Sequence, residues 1–180
     1  MAGADVKTET GELRLIHYPD PRLRQRCEEI AEFNGEIAAL VERMFAIMQE
    51  SKGVGLAASQ VGVLKRLFVM NLTGEERDRV VFINPVLRDR DGSVESEEGC
   101  LSLPGINVNI RRARHCRIEA QDLEGRRFEV EGDDLMSRCW QHELDHLDGV
   151  LITDRMGPSD RIATRRTLKL LEEGYNGGHG

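Results

Sequence analysis

The sequence predicts an α+β domain in which helices precede and follow a central block of mostly antiparallel strands. Three observations carry this. Apolar residues recur at helical spacing near both ends, short β-like runs separated by turn formers fill the middle, and 180 residues suffice for one hydrophobic core. No repeat or linker-like composition divides the chain. The domain is expected over residues 11–173, with flexible tails over 1–10 and 174–180.

In chain order, Tyr18-Pro19-Asp20-Pro21 reads as an extended turn ending in an N-cap and an N1 proline, which predicts a short helix over 22–33. Asn34-Gly35 interrupts it. Ile37, Leu40, Val41, Met44, Phe45 and Met48 then mark an amphipathic helix with its stripe toward the core, closed by Ser51-Lys52-Gly53-Val54-Gly55. Between Arg66 and Val130 the runs 67–70, 80–83, 86–88, 117–120 and 128–130 read as strands, with Asn84-Pro85, Asp91-Gly92, Pro104-Gly105 and Glu124-Gly125 as turns. Helical spacing returns at Leu135, Cys139, His142 and His146 and ends near Gly149, and a last helix is predicted over 159–173.

Charge and composition exclude several functions. Twenty-five basic against 32 acidic side chains leave a net charge of −7, unsuited to general attachment to DNA or RNA phosphate. No stretch approaches the ~18 consecutive apolar residues of a membrane span. Residues 1–10 lack the charged-then-apolar pattern of a secretory signal, so the protein is expected in the cytoplasm, or in an organellar matrix or stroma after loss of a transit peptide. In such compartments Cys27, Cys100, Cys116 and Cys139 are expected as reduced thiols. Cys27, Cys116 and Cys139 read as small buried hydrophobes. Cys100 differs, because Glu98-Gly99-Cys100-Leu101-Ser102-Leu103-Pro104 is a turn-like stretch that can present a thiol.

The sharpest motif is His142-Glu143-Leu144-Asp145-His146. Helical residues four apart share a face, so both imidazoles can reach one metal ion, with Glu143 beside them to handle protons on a bound water. A catalytic site needs a third protein ligand. Gly149 matches the longer H-E-x-x-H-x-x-G-x-x-H pattern, yet position 152 is Ile. Glu172 and Glu173 lie on a helix whose remaining surface is charged, which leaves the upstream Cys100 as the better candidate.

Three separated segments resemble one family in that family's own order. Gly53-Val54-Gly55-Leu56-Ala57-Ala58-Ser59-Gln60, Glu98-Gly99-Cys100-Leu101-Ser102 and Gln141-His142-Glu143-Leu144-Asp145-His146 are similar to the signatures of peptide deformylases. The similarity runs on through Pro19-Asp20-Pro21-Arg22-Leu23-Arg24, Ile83-Asn84-Pro85 and Asp145-His146-Leu147-Asp148-Gly149, across nearly everything between residues 13 and 155. The resemblance implies antiparallel sheets packed around a central metal-binding helix. It implies one ion held by Cys100, His142 and His146, with water in the fourth position. The ion is most often ferrous iron in the cell, although zinc, nickel or cobalt suit the same ligands. The implied reaction removes the formyl group from N-formyl-methionyl nascent polypeptides. Glu143 would be general base and acid, and the Gln60 amide and Leu101 N–H would donate to the oxyanion. Val54, Gly55 and Gly99 would offer backbone to an extended substrate.

Helical spacing puts Leu135, Arg138 and Cys139 on or beside the face of His142, as candidate lining for the methionine pocket. Asp145 is a candidate support for a ligand histidine, and Glu98 a candidate partner of Arg112. Arg161, Arg165 and Lys169 form a basic stripe on the last helix, suited to docking on ribosomal RNA. Two competing readings are a small zinc peptidase, which Ile152 and the Cys100 segment disfavour, and a non-catalytic metal- or peptide-binding module, which would need neither Glu143 nor Gln60.

Overall fold

Asn34 turns an extended lead-in into α1 (Gly35–Glu50). Its side chain accepts from the N–H groups of Glu36 at 3.1 Å and Ile37 at 3.2 Å, worth about 1 kcal/mol to the helix. The apolar stripe of α1, including Leu40, Val41, Met44, Phe45 and Met48, is buried as its spacing predicts. The structure is a computed structural model that describes residues 13–177. The tail expected over 1–10 and residues 178–180 therefore lie outside the described residues.

The helix expected over 22–33 is corrected to one 3-10 turn, Pro21–Arg24. Its N-cap is present: Asp20 accepts from the Arg22 N–H at 3.0 Å and also clasps the Arg22 guanidinium. The helix stops because the next residues make long-range backbone bonds. The Cys27 N–H donates to Leu147 O at 2.8 Å, Glu28 forms a parallel bridge with Lys65, and the Ile30 N–H donates to Asn84 Oδ1 at 2.8 Å. Burial of Cys27 and Ile30 fixes that extended path.

Seven strands follow: β1 (Gly55–Ala57), β2 (Leu67–Met70), β3 (Val80–Asp91), β4 (Val94–Gly99), β5 (Asn107–Arg112), β6 (His115–Gln121) and β7 (Arg127–Asp133). Five of them make an antiparallel sheet in the order β1-β2-β3-β6-β7, and β4 and β5 form a separate antiparallel pair. The runs predicted at 80–83 and 86–88 join into β3 through an irregularity in its pairing with β6 between Ile83 and Val86. The pair β4 and β5 was not anticipated. β4 reads Val-Glu-Ser-Glu-Glu-Gly, without an apolar run, and only pairing with β5 brings its alternation to light.

The sheet carries α2 (Asp134–Leu147) against one face. Met136, Trp140, Leu144 and Leu147 pack into the cluster that holds Phe68 and Phe82. The Phe68 and Phe82 rings stack with centroids 4.7 Å apart, and the edge of Trp140 meets Phe82 at 6.0 Å. Cys139 belongs to the same cluster, while α2 also packs against β1 and meets Glu98, near the end of β4, through His142. The chain closes with a short helix not foreseen, α3 (Ile152–Arg155), and with α4 (Pro158–Glu173). Asp160 of α4 accepts from the Asn109 N–H of β5 at 2.8 Å, and Glu172 from the Tyr18 hydroxyl at 2.5 Å. Among the described residues no helix is long and apolar enough to cross a membrane.

Candidate active site

The metal-binding geometry starts from the four-residue spacing on α2, which sets the His142 and His146 rings edge to face with centroids 5.0 Å apart. Cys100 follows β4 directly. The Sγ of Cys100 lies 3.2 Å from His146 Nε2, and the ligand atoms of Cys100, His142 and His146 all lie within 4.8 Å of one another. Glu172 sits elsewhere, bound to Tyr18. One thiolate and two imidazoles make a donor set that fits a divalent transition metal and leaves a coordination position open.

Glu98 supplies what the sequence did not foresee. Its Oε2 lies 2.9 Å from His142 Nδ1, so the ring donates there and turns Nε2 toward the other ligands. The Glu98–Arg112 pair raised from sequence is present, with Arg112 Nε 2.5 Å from Oε1 and Nη2 2.9 Å from Oε2. Asp145 does not support a ligand ring; it binds Arg112 and Arg155 instead. Glu98 was findable in principle. In a strand of period two, Glu98 and Cys100 share a face, but β4 had to be recognised first. Burial alone would raise the Glu98 carboxyl, yet hydrogen bonds from His142 and Arg112 hold it down at about 2.

Glu143 is 4% exposed, and burial pushes its carboxyl up to about 7 against the opposing influence of His142 and Arg112. Among the described residues its Oε2 is buried without a hydrogen-bond partner, as is Nδ1 of His146. A titratable group poised near neutrality beside a metal-ligand cluster suits proton transfer. Gln60 lies in the 3-10 turn that follows β1. Its Oε1 accepts from the Ala57 N–H at 3.0 Å, which aims Nε2 at Ser102 Oγ, 3.1 Å away, and toward Cys100 Sγ at 3.6 Å. Ser102 is a further polar residue the sequence reading passed over.

These groups open on a cleft of about 450 Å³. Val54, Gly55, Gly99, Leu101, Arg138 and Cys139 line it, and Leu135, 51% exposed, stands at the rim. Among the described residues β1 pairs only with β2 and β4 only with β5, so each turns an unpaired edge outward. Gly55 is required by close approach: a Cβ there would sit 2.7 Å from Glu143 Oε1 and 3.0 Å from Cys139 Sγ. Burial, the main influence, holds the Cys139 thiol well above its usual range, so it acts as an apolar wall.

Comparison with known proteins agrees with this geometry. The family model for polypeptide deformylase matches residues 12–162. The peptide deformylase of Acidobacterium capsulatum is 46% identical over 163 residues, covering 89% of this chain and 96% of that protein. That of Chromobacterium violaceum is 42% identical over 161 residues, covering 89% and 96%. The crystal structure of peptide deformylase from Plasmodium falciparum superposes with a TM-score of 0.89 at 37% identity, covering 93% of this chain and 99% of that one. The Legionella pneumophila enzyme gives 0.85 at 37% identity, covering 90% and 96%. With the match spanning both the sheets and the cysteine and histidine cluster, the chain belongs to the polypeptide deformylase family.

Proposed function

We propose that the chain is a metal-dependent hydrolase that removes the formyl group from N-formyl-methionyl polypeptides and releases formate. The observation that carries this is the convergence of Cys100, His142 and His146, with Cys100, His142 and the buried Glu143 lining one cleft. When bound by these three residues, a divalent ion polarises the formyl carbonyl and acidifies water. In this reading Glu143 takes the proton of the attacking water and returns one to the departing amine. The Gln60 Nε2–H and the Leu101 backbone N–H donate to the oxygen on which negative charge develops.

Val54, Gly55 and Gly99 offer backbone to an extended peptide between the free edges of β1 and β4, which fits a substrate read by main chain rather than sequence. Leu135, Arg138 and Cys139 would flank the methionine side chain, with the Arg138 stem as packing surface. The ion in this reading is ferrous iron, with zinc, nickel or cobalt as substitutes that satisfy the same ligands. The working compartment is the reducing cytoplasm, or an organellar matrix or stroma, which suits four free cysteines.

The test is formate release from formyl-Met-Ala-Ser by protein purified and iron-loaded without oxygen, beside Glu143→Ala and an unformylated peptide. Formate from the wild type, reduced about 10²–10⁴-fold in the variant, is the expected result. Cleavage of the unformylated peptide would point to a peptidase, and metal analysis of the anaerobic protein checks iron.

Docking on the ribosome is a separate proposal. Arg161, Arg165 and Lys169 are all exposed on α4. Reversing all three charges should abolish salt-sensitive co-sedimentation with ribosomes, and unchanged co-sedimentation would end the idea.

A further inference from the structure

We propose that Arg112 is a positioning residue for the metal site: it fixes the Glu98 carboxylate, and through it the ring of His142. The inference rests on the reading that Cys100, His142 and His146 hold the ion. Arg112 lies at the end of β5 with its side chain 3% exposed; it does not line the cleft, and its side-chain hydrogen bonds go to Glu98 and Asp145. Its guanidinium grips both oxygens of Glu98, and the same carboxylate receives His142 Nδ1 at 2.9 Å. A two-point grip sets the rotation of the carboxylate as well as its position, which a single ammonium cannot do.

Arg112 is itself located by α2. Its Nη1 donates to Asp145 Oδ2 at 2.9 Å, and Asp145 is held from outside by Arg155 at 2.5 and 2.7 Å. The neighbouring peptide is clasped too. The Ala113 N–H donates to Gln141 Oε1 at 3.0 Å, and the Ala113 carbonyl accepts from Gln141 Nε2 at 2.9 Å and from Ser137 Oγ at 3.0 Å. Gln141 and Asp145 are one helical turn apart and bracket His142. The end of β5 is thus registered against α2 on either side of the ligand, and Glu98 closes the loop by returning from β4 to the ring. The charges alternate as Glu98, Arg112, Asp145 and Arg155, so loss of Arg112 would leave the partly buried carboxylates of Glu98 and Asp145 without the cation they share.

The test loads wild type, Arg112→Lys and Asp145→Asn with cobalt. It records the thiolate charge-transfer and d–d bands and the rate of cobalt loss to a chelator, and melts each protein without metal. Arg112→Lys should lose cobalt about 10–100-fold faster with displaced bands, and Asp145→Asn should do so by a smaller factor. Wild-type bands and loss rates in a folded Arg112→Lys overturn the proposal, even if its melting temperature falls, because that pattern is a structural role alone. If Arg112→Lys does not fold, Asp145→Asn decides by the same readings. Failure of the wild type to take up cobalt with a thiolate band overturns the ligand set and this inference together; unchanged variants overturn this inference only.

Discussion

The two histidines one turn apart on α2 live in opposite surroundings. His142 is tied at Nδ1 to Glu98, and behind Glu98 stands a chain of ion pairs through Arg112 and Asp145 to Arg155. His146 is 1% exposed, and its Nδ1 has no hydrogen-bond partner among the described residues. Titration follows the difference. Burial works against protonation of both rings, but at His142 hydrogen bonds with Cys100 and Glu98 override it and hold the ring well above its usual range. At His146 burial is unopposed, and the ring is held well below its usual range. Glu143 shares the sparse side, with one carboxylate oxygen unpartnered among the described residues. One side of the site is clamped by ion pairs, and the group proposed to move the proton, Glu143, lies outside that clamp.

Four substitutions test that division, in order of decreasing effect. Gln60→Leu removes a donor from the sparse side, and kcat for formyl-Met-Ala-Ser should fall by about 10²–10³-fold with metal content unchanged; near-normal turnover would remove Gln60 from the chemistry. Gly55→Ala forces a methyl group to within 2.7 Å of Glu143 Oε1. Displacing that carboxylate by about 1 Å should cost roughly 10²-fold in kcat, again with the metal retained. On the clamped side, Glu98→Gln should weaken metal affinity by about tenfold or more, read by chelator competition. Arg155→Met removes the outermost and partly exposed ion pair, so the free energy of unfolding in urea should change by at most about 1 kcal/mol. A larger loss there would mean the clamp extends to the surface.

Much of the site was legible in the sequence because its spacing is local. His142, Glu143 and His146 share a helical face by arithmetic, and the Cys100 and Gln60 segments carry resemblances of their own. The Glu98 contact was hidden because it crosses from β4 to α2, and β4 lacks the apolar run that announces a strand. The helix expected over 22–33 failed for a related reason. Asp20 and Pro21 are sound start signals and do start a turn, but a few tenths of a kcal/mol per residue of helix propensity cannot outweigh the burial of Cys27 and Ile30 together with the long-range hydrogen bonds of the Cys27, Glu28 and Ile30 N–H groups.

The sequence by itself determined the α+β class, the amphipathic faces of α1 and α2, the family resemblance and the three candidate ligands, because each follows from a short period or a contiguous motif. Only the tertiary structure decided how α2 is rolled on the sheet, which edges border the cleft and which partner each ligand ring receives. Those outcomes depend on Trp140 meeting Phe82 and on Arg112 reaching both Glu98 and Asp145. Such contacts join residues far apart in the chain, and no local pattern encodes them.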